Sequence, residues 1–203
     1  MNDLLVIVPT TNLELVKGTL DALHAQTFKD FEVLLIANGT SQDEAPWLQR
    51  DFPFVELHTI GERIGFAAAV NIGIRTTENP LLLLLNDDAQ PKPDCLAHLM
   101  EAQEEHSNYD AFATKICFFY SPSVIESAGD GFSLAGRGFH RAWRERDAPP
   151  YDEETEVFGA CAAAALYRRR LFDGTGLFEE EFYAIHEDVD LAFRARRKGF
   201  RFL

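Results

Sequence analysis

The sequence predicts an α/β fold in which a Rossmann-like, mostly parallel sheet is flanked by helices. Short apolar runs without a polar face recur along the first part of the chain, and helical patterns of crossover length separate them. Such runs indicate strands that are buried on both faces, and their alternation with helices is typical of parallel sheets. The 203 residues and the 46% hydrophobic content fit one folded domain with a substantial core.

The leucine run Leu81–Leu85 is the clearest element, and we predict that it forms a central strand of the sheet. Other apolar runs rich in β-branched residues predict strands at 4–8, 31–36, 55–60 and 111–118. Apolar stripes and small-residue faces predict helices around 16–23, 43–50, 66–74 and 94–105. The order strand–helix therefore repeats along the first half of the chain.

The second half has weaker patterns. Residues 121–150 contain four glycines and a cluster of arginines, so we expect a long, partly mobile segment. That segment is either a solvated loop or a flap over a phosphate-bearing ligand. Residues 155–167 contain the run 158–165, which has almost no side-chain bulk, so another element or a ligand is expected to approach its backbone closely. A turn-rich link is expected at 171–178.

The end of the chain is predicted to hold one more helix, which begins at Glu187 and ends near Gly199. Residues 200–203 look like the beginning of a further strand. We therefore expect the chain to be truncated at its C-terminus.

Charge and cysteine content narrow the classes of function. Lys and Arg number 19 against 33 Asp and Glu, which gives a formal charge of −14. So acidic a chain is a poor general binder of nucleic acid or of anionic membranes, and a polyanionic ligand would need a metal or a local basic cluster. The three cysteines lack metal-ligand spacing, and no signal peptide or transmembrane segment is predicted. We expect a cytoplasmic protein.

Polar residues follow the leucine strand directly, as Asn86, Asp87 and Asp88. In open α/β sheets, ligands bind beyond the carboxyl ends of the strands. Two adjacent carboxylates there suit Mg²⁺ or Mn²⁺, which would in turn hold the phosphates of a nucleotide. The alternative is that both aspartates only cap the following helix.

Acidic residues also open the last predicted helix. Its apolar face follows Asp188, so this carboxylate is expected at the buried edge that faces the ligand-binding end of the sheet. Asp190 precedes Arg194 by four residues, which predicts an exposed ion pair. The alternative for Glu187 and Asp188 is that they merely complement the helix dipole.

Several motifs occur in one order along nearly the whole chain. They are VIVPTTN at 6–12, NGTS at 38–41, GFAAAVNIGI at 65–74, LLLNDD at 83–88, Gly159-Ala160, and EDVDL at 187–191 with Arg194 and Gly199. In this combination the chain resembles family 2 glycosyltransferases of the GT-A fold, particularly the rhamnosyltransferase-like branch.

The resemblance implies an inverting glycosyltransferase that moves a sugar from a nucleoside-diphosphate sugar to a hydroxyl of a glycan or lipid-linked acceptor. It implies dependence on Mg²⁺ or Mn²⁺, a role in cell-surface polysaccharide biosynthesis and possible peripheral membrane association. Residues 1–203 would form one GT-A domain. Within it, residues 1–118 would bind the nucleotide sugar, and residues 119–203 would face the acceptor.

The resemblance also implies roles for individual residues. Asp88 would be the metal ligand of the family's Asp-x-Asp element, and Asp188 the catalytic base, with Glu187 as its closest competitor. The nucleotide-sugar site would comprise Pro9, Thr10, Asn12, Asn38, Arg63, Gly65, Asn71, Asn86 and Asp87. Asn86 would lie near the ribose or the sugar, and Arg63, Gly65 and Asn71 toward the base or the diphosphate.

One departure from the family pattern bears on nucleotide recognition. Ala37 stands at or next to the position where relatives usually have an acidic residue, and Asn38 or Asp43 would have to substitute. Two other functions stay open. One is a catalytically inactive domain that binds nucleotide or glycan. The other is a sugar nucleotidyltransferase, which normally carries a glycine-rich phosphate loop where this chain has Pro-Thr-Thr-Asn.

Overall fold

A six-stranded sheet is the centre of the computed structural model, which describes residues 2–40 and 45–203. Its strands are β1 (Leu4–Thr10), β2 (Phe31–Asn38), β3 (Val55–Ile60), β4 (Leu81–Leu85), β5 (Ala111–Ala113) and β10 (Ala164–Arg168). They lie in the order β3-β2-β1-β4-β10-β5. The first four are mutually parallel, and β10 is antiparallel to both of its neighbours. The predicted mostly parallel sheet is confirmed.

Helices cover both faces of this sheet. They are α1 (Lys17–His24), α2 (Leu48–Asp51), α3 (Phe66–Arg75), α4 (Cys95–Glu105), α5 (Arg169–Thr175) and α6 (Glu187–Arg197). None of the helices within the described ranges is both long and apolar enough to cross a bilayer.

The five leucines of β4 divide between the two halves of the core. Leu81, Leu83 and Leu85 pack with α1 and α4, whereas Leu82 and Leu84 pack with α3, α5 and α6. Side chains alternate between the faces of a strand, so a strand covered on both sides needs apolar residues at every position. Each of these leucines is at most 5% exposed, and burial of one such side chain contributes about 1.5–3 kcal/mol. β4 is thus fixed in the middle of the sheet.

Two small antiparallel ribbons lie beyond β5. One pairs β6 (Lys115–Phe118) with β7 (Ser121–Ala128), and the other pairs β8 (Asp130–Phe132) with β9 (Gly138–His140). The expectation of a long irregular segment at 121–150 was therefore wrong for much of its length. These strands are short, bulged or glycine-containing, so the apolar pattern that marks the strands of the main sheet is absent from them.

Three further elements differ from the prediction. The low-bulk segment at 155–167 ends in β10, whose alanines have weak strand propensity but fit between β4 and β5. The link expected at 171–178 begins as the helix α5. The strand expected at 111–118 divides at Thr114 into β5 and β6, since the chain leaves the sheet there.

Two expected elements lie near the limits of the described residues. Some of the helix expected at 43–50 lies outside those residues, and the helix observed there is the single turn α2. At the end of the chain, Phe202 forms a parallel bridge with Ala111 and an antiparallel bridge with Val157. Residues 201–203 therefore run beside β5.

Candidate active site

The carboxyl ends of β1 and β4 meet at one edge of the sheet. The Thr10 hydroxyl lies 2.6 Å from Oδ2 of Asp87, and the Thr19 hydroxyl donates to the backbone carbonyl of Asp87 at 2.7 Å. Burial raises the pKa of Asp87, and the charge of Asp88 adds to this shift. Asp87 therefore anchors the loop to β1 and α1, while Asp88 is exposed at its tip.

The predicted donor site has further residues at the start of the chain. Pro9 and Thr10 are buried at the end of β1, whereas Asn12 is exposed. The side-chain oxygen of Asn12 accepts hydrogen bonds from the backbone N–H groups of Glu14 and Leu15, at 3.1 and 3.2 Å. Asn12 thus turns the chain toward α1.

Asn38 ends β2 and joins it to the loop before α3. Its side-chain amide donates to the Ile64 carbonyl at 2.7 Å, and the Ile64 N–H donates to its side-chain oxygen at 2.9 Å. Asn38 is 4% exposed, so its carboxamide positions this loop. Arg63 is exposed on the same loop, and its backbone lies against Gly39. Asp43 lies outside the described residues.

The side chain of Asn71 is buried and hydrogen bonded inside the protein. Its amide donates to the Phe178 carbonyl at 2.9 Å and to Oε1 of Glu180 at 3.0 Å, and its oxygen accepts from the Phe178 N–H at 3.1 Å. Its exposed fraction is 0%. The structure does not bring Asn71 to the open edge of the sheet. Instead, the hydrogen bonds of Asn71 join α3 to the segment that leads to α6.

Gly65 permits a close approach between the start of α3 and that same segment. A Cβ atom at Gly65 would lie 2.6 Å from the carbonyl oxygen of Tyr183 and 2.9 Å from its Cα. The Ala67 N–H also donates to this carbonyl at 3.2 Å. Gly65 therefore sets the position of the residues that immediately precede Glu187.

A cavity of about 380 Å³ lies between the end of β4 and the start of α6. Asn86 lines it from the β4 side, and Glu187 and Asp188 line it from the α6 side. Its remaining walls come from Phe66, Asp130, Gly138, Phe139, His140, Cys161, Ala163, Ala184, Ile185, His186 and Val189. The structure thus brings Asn86 and the predicted base into one cavity.

The two carboxylates of α6 have different surroundings. Oδ2 of Asp188 accepts from the Ala162 N–H at 3.3 Å, and its Oδ1 accepts from the Val189 N–H at 2.8 Å. Burial, followed by the charge of Asp130, raises the pKa of Asp188. Burial, followed by the charge of Asp188, raises the pKa of Glu187 to about 6. Raised pKa values of this kind suit proton transfer near neutral pH.

Asp190 does not join these two carboxylates. Its Oδ2 forms an ion pair with Nε of Arg194 at 2.7 Å, which confirms the predicted pairing, but both side chains are half-buried and not exposed as the sequence predicted. Arg194 also donates to the carbonyls of Thr175 and Leu177, at 3.1 and 2.9 Å. This pair fastens α6 to the end of α5.

Sequence reasoning missed three residues of the cavity. Asp130 and His140 occupy directly paired positions of β8 and β9, and Oδ1 of Asp130 lies 2.8 Å from Nδ1 of His140. The sulfur of Cys161 is close to both, since the three polar atoms lie within 4.8 Å of one another. Burial raises the pKa of the Cys161 thiol to about 12, which keeps it neutral. A hairpin with its turn at residues 133–137 was the signal that could have found the first two.

A second cavity of about 610 Å³ adjoins the first and shares Gly138, His186 and Val189 with it. Its other lining residues are Phe132, Gly136, Arg137, Phe182, Asp190 and Phe193. Its surface is thus largely apolar, with the exposed Arg137 beside it.

The loop after β4 offers oxygen ligands of the kind that a divalent cation prefers. Because Asp87 is hydrogen bonded to Thr10, the exposed carboxylate of Asp88 is the freer of the two for a metal. Hard carboxylate oxygens suit Mg²⁺ and Mn²⁺. The residues present therefore fit a divalent cation.

Comparison with protein families defines the class of this chain. The family model described as glycosyl transferase family 2 matches residues 5–176. The chain belongs to the glycosyl transferase family 2. The matched span includes β1 to β4 and the loop of Asp87 and Asp88, and it ends before α6.

Individual relatives are more distant. The chain is 26% identical over 206 residues to the O-antigen biosynthesis protein RfbC of Myxococcus xanthus, which covers 97% of this chain and 16% of that protein. It is also 26% identical over 206 residues to the N-acetylglucosaminyl-diphospho-decaprenol L-rhamnosyltransferase of Mycobacterium tuberculosis, covering 89% of this chain and 66% of that protein. The chain thus spans less than two thirds of the length of each.

Solved structures show the same fold. The mannosyltransferase PcManGT from Pyrobaculum calidifontis, in complex with GDP-Man and Mn²⁺, aligns with a TM-score of 0.70 and 20% identity over 100% of this chain and 54% of its own. S. aureus TarS 1-349 in complex with UDP-GlcNAc aligns with a TM-score of 0.69 and 18% identity over 100% of this chain and 56% of its own. The GT-A glycosyltransferase fold is therefore confirmed for this chain.

Proposed function

We propose that this chain transfers a sugar from a nucleoside-diphosphate sugar to a hydroxyl of a glycan or lipid-linked acceptor, with inversion at the anomeric carbon. The observation that carries the proposal is the shared cavity of Asn86 and Asp188. Asn86 belongs to the loop that would hold the donor, and Asp188 is a half-buried carboxylate on the opposite wall. A sugar bound between them would meet an acceptor hydroxyl beside a base.

The donor end of the reaction depends on the loop after β4. Asp88 is the proposed ligand of Mg²⁺ or Mn²⁺, and Asp87 holds the loop in place through Thr10. A divalent cation would neutralise the diphosphate and stabilise the negative charge that develops on the leaving group. Support comes from the similar fold of PcManGT, whose structure contains GDP-Man and Mn²⁺.

The chemical step assigns a role to Asp188. Its carboxylate takes the proton of the acceptor hydroxyl while the hydroxyl oxygen bonds to the anomeric carbon. The bond between that carbon and the diphosphate oxygen breaks, and its electron pair leaves with the nucleoside diphosphate. A positioned base contributes about 10²–10⁴-fold to such a step. Attack from the face opposite the leaving group inverts the configuration.

The acceptor would enter from the side of the second cavity. Its phenylalanines offer an apolar surface, and Arg137 offers a positive charge for a phosphate near the acceptor sugar. Both features suit a glycan carried on a lipid diphosphate. The names of the relatives in O-antigen biosynthesis and in decaprenol-linked rhamnosyl transfer support the same class of acceptor and a role in cell-surface polysaccharide biosynthesis.

The donor side is tested by calorimetric titration of GDP and UDP with Mn²⁺ and with EDTA. The chain carries a formal charge of −14, so a divalent cation is expected to strengthen the binding of a diphosphate. Asp88→Ala is expected to remove the Mn²⁺-dependent part of the affinity, by about 10-fold or more.

Asp94→Ala provides the matched control, because it removes an exposed carboxylate six residues further along the chain. Its affinity is expected to stay close to that of the wild type. Wild-type binding of both nucleotides that is as tight in EDTA as with Mn²⁺, or Mn²⁺-dependent binding that Asp88→Ala leaves unchanged, would overturn the proposed metal-dependent donor site.

A further inference from the structure

We propose that Asp130 and His140 form a positioning pair for Asp188, in which the imidazolium held by Asp130 is the positive counter-group of the base. This inference rests on the proposed function, since it assumes that Asp188 is the base. It adds two residues to the site that neither the family motifs nor the sequence pattern had assigned.

The geometry of the pair favours a protonated imidazole. Asp130 is 2% exposed and lies 2.8 Å from Nδ1 of His140, at directly paired positions of β8 and β9. A buried carboxylate is costly without a positive partner, so the proton is expected to stay on the ring. The hydrogen bond to Asp130 is the main cause that raises the pKa of His140, and the charges of Asp188 and Glu126 add to it.

The other charged groups of the cavity are mostly negative. Asp130 comes from β8, Glu187 and Asp188 from α6, and Glu126 of β7 also acts on His140. The Cys161 thiol is neutral, the nearby ring of Trp143 carries no charge, and His186 is exposed. His140 is therefore the partly buried positive group among the described residues of this cavity.

The effect on Asp188 follows from these charges. Burial and the charge of Asp130 raise the pKa of Asp188, whereas the charge of His140 lowers it. Without the imidazolium, the base would face an uncompensated buried carboxylate and would hold its proton to a higher pH. His140 thus keeps Asp188 charged at the pH at which it must accept a proton.

The coupling is tested by NMR titration of the histidine side chains in the full chain labelled with ¹⁵N-histidine. The signal of His140 is assigned by its loss in His140→Gln. We expect it to titrate above 6.5, the ordinary pKa of histidine, and to titrate lower in Asp188→Asn and lower still in Asp130→Asn.

The internal control is His106, whose Nε2 lies 2.7 Å from Glu154 outside the cavity. Its NMR signal is expected to be unaffected by these substitutions. If Asp130→Asn does not fold, the comparison of wild type with Asp188→Asn still decides the proposal. The Asp188→Asn substitution leaves the Asp130–His140 hydrogen bond in place.

A second readout is the pH profile of donor hydrolysis. His140→Gln removes the positive charge, so the acidic limb of the profile is expected to move upward by on the order of half a pH unit. A merely structural role would lower the rate without moving this limb. If the wild type hydrolyses no donor, the proposed function fails, and the NMR titration still tests the charge coupling.

Three results would each overturn the proposal. The first is a His140 signal that titrates below pH 6.5. The second is a pKa of His140 that is the same in Asp188→Asn as in the wild type. The third is one equivalent of zinc bound to Asp130, His140 and Cys161 in the purified protein, since the imidazole would then be a metal ligand and not a cation.

Discussion

The buried carboxylate of Glu187 makes the stability of this protein depend on pH. The substitution Glu187→Gln isolates the contribution of this one group. Glu187 is 6% exposed, and its pKa is raised from 4.5 to about 6. A difference of about 1.5 pH units corresponds to about 2 kcal/mol between the two protonation states. Because the group is buried, solvent screens little of this free energy.

The sign of the effect follows from the raised pKa. The folded protein binds the proton of Glu187 more tightly than the unfolded chain does, so the stabilising contribution is complete below about pH 4.5 and is lost as the pH rises through about 6. Glu187→Gln removes this titration. Relative to the variant, the wild type is expected to lose about 2 kcal/mol of unfolding free energy between pH 4 and pH 7.5.

Urea unfolding of both proteins at pH 4 and pH 7.5 measures this loss. The unfolding free energy of the wild type minus that of the variant is compared between the two pH values. Because the other titratable groups are common to both proteins, the change in this quantity reports mainly Glu187 and its neighbour Asp188. Glu181→Gln, which changes an exposed carboxylate of the same segment, serves as the control and is expected to show a constant difference. A wild type that gains stability relative to Glu187→Gln as the pH rises would refute the reasoning.

Two further predictions concern the segment that precedes α6. Gly65→Ala places a methyl group 2.6 Å from the Tyr183 carbonyl, so we expect a loss of about 1–3 kcal/mol in urea unfolding, whereas Gly61→Ala, whose added Cβ meets no atom within 4 Å, should cost little. Equal losses in the two variants would show that the close contact is absent. Ile185 has a φ of 89° and is 74% exposed, so Ile185→Gly is expected to raise the unfolding free energy by about 1 kcal/mol. A lower stability would mean that the Ile185 side chain contributes more than its backbone conformation costs.

The central sheet could be predicted because its strands carry their own signal. Leu81–Leu85 is apolar at every position, and both faces of β4 are indeed covered. β10 gave no such signal, because Ala164 and Ala165 are poor strand formers and are held in the sheet by β4 and β5 on either side. Its place depends on tertiary contacts that a local pattern does not contain.

The positions of Asp88 and Asp188 could be predicted from acids at the end of a strand and at the start of a helix. The structure places Asp88 at the exposed tip of the loop after β4 and Asp188 in the wall of the cavity, and their roles stay predictions. Asn38 and Asn71 were assigned to the ligand from the family resemblance, whereas the structure shows their amides bonded to the backbones of Ile64 and Phe178. A polar residue at a conspicuous position can bind a ligand or the backbone, and sequence alone does not distinguish these uses.

Asp130 and His140 escaped prediction for another reason. They lie ten residues apart in a glycine-rich segment, and only the pairing of β8 with β9 brings them together. Their position in the same cavity as the start of α6 depends on how the ribbon packs against that helix. No pattern within either segment encodes that packing.

The most direct test of the account measures the release of nucleoside diphosphate from a panel of nucleoside-diphosphate sugars with Mn²⁺, for the wild type and Asp188→Asn. Asn retains the shape of the side chain but cannot accept the proton. The variant is therefore expected to turn over roughly 10²-fold more slowly, with donor affinity little changed. Asp173→Asn, an exposed carboxylate on α5, is the charge-matched control and should match the wild type. Turnover by Asp188→Asn at the wild-type rate, or no release by the wild type from any donor, would contradict the assignment of this cavity as a glycosyltransferase active site.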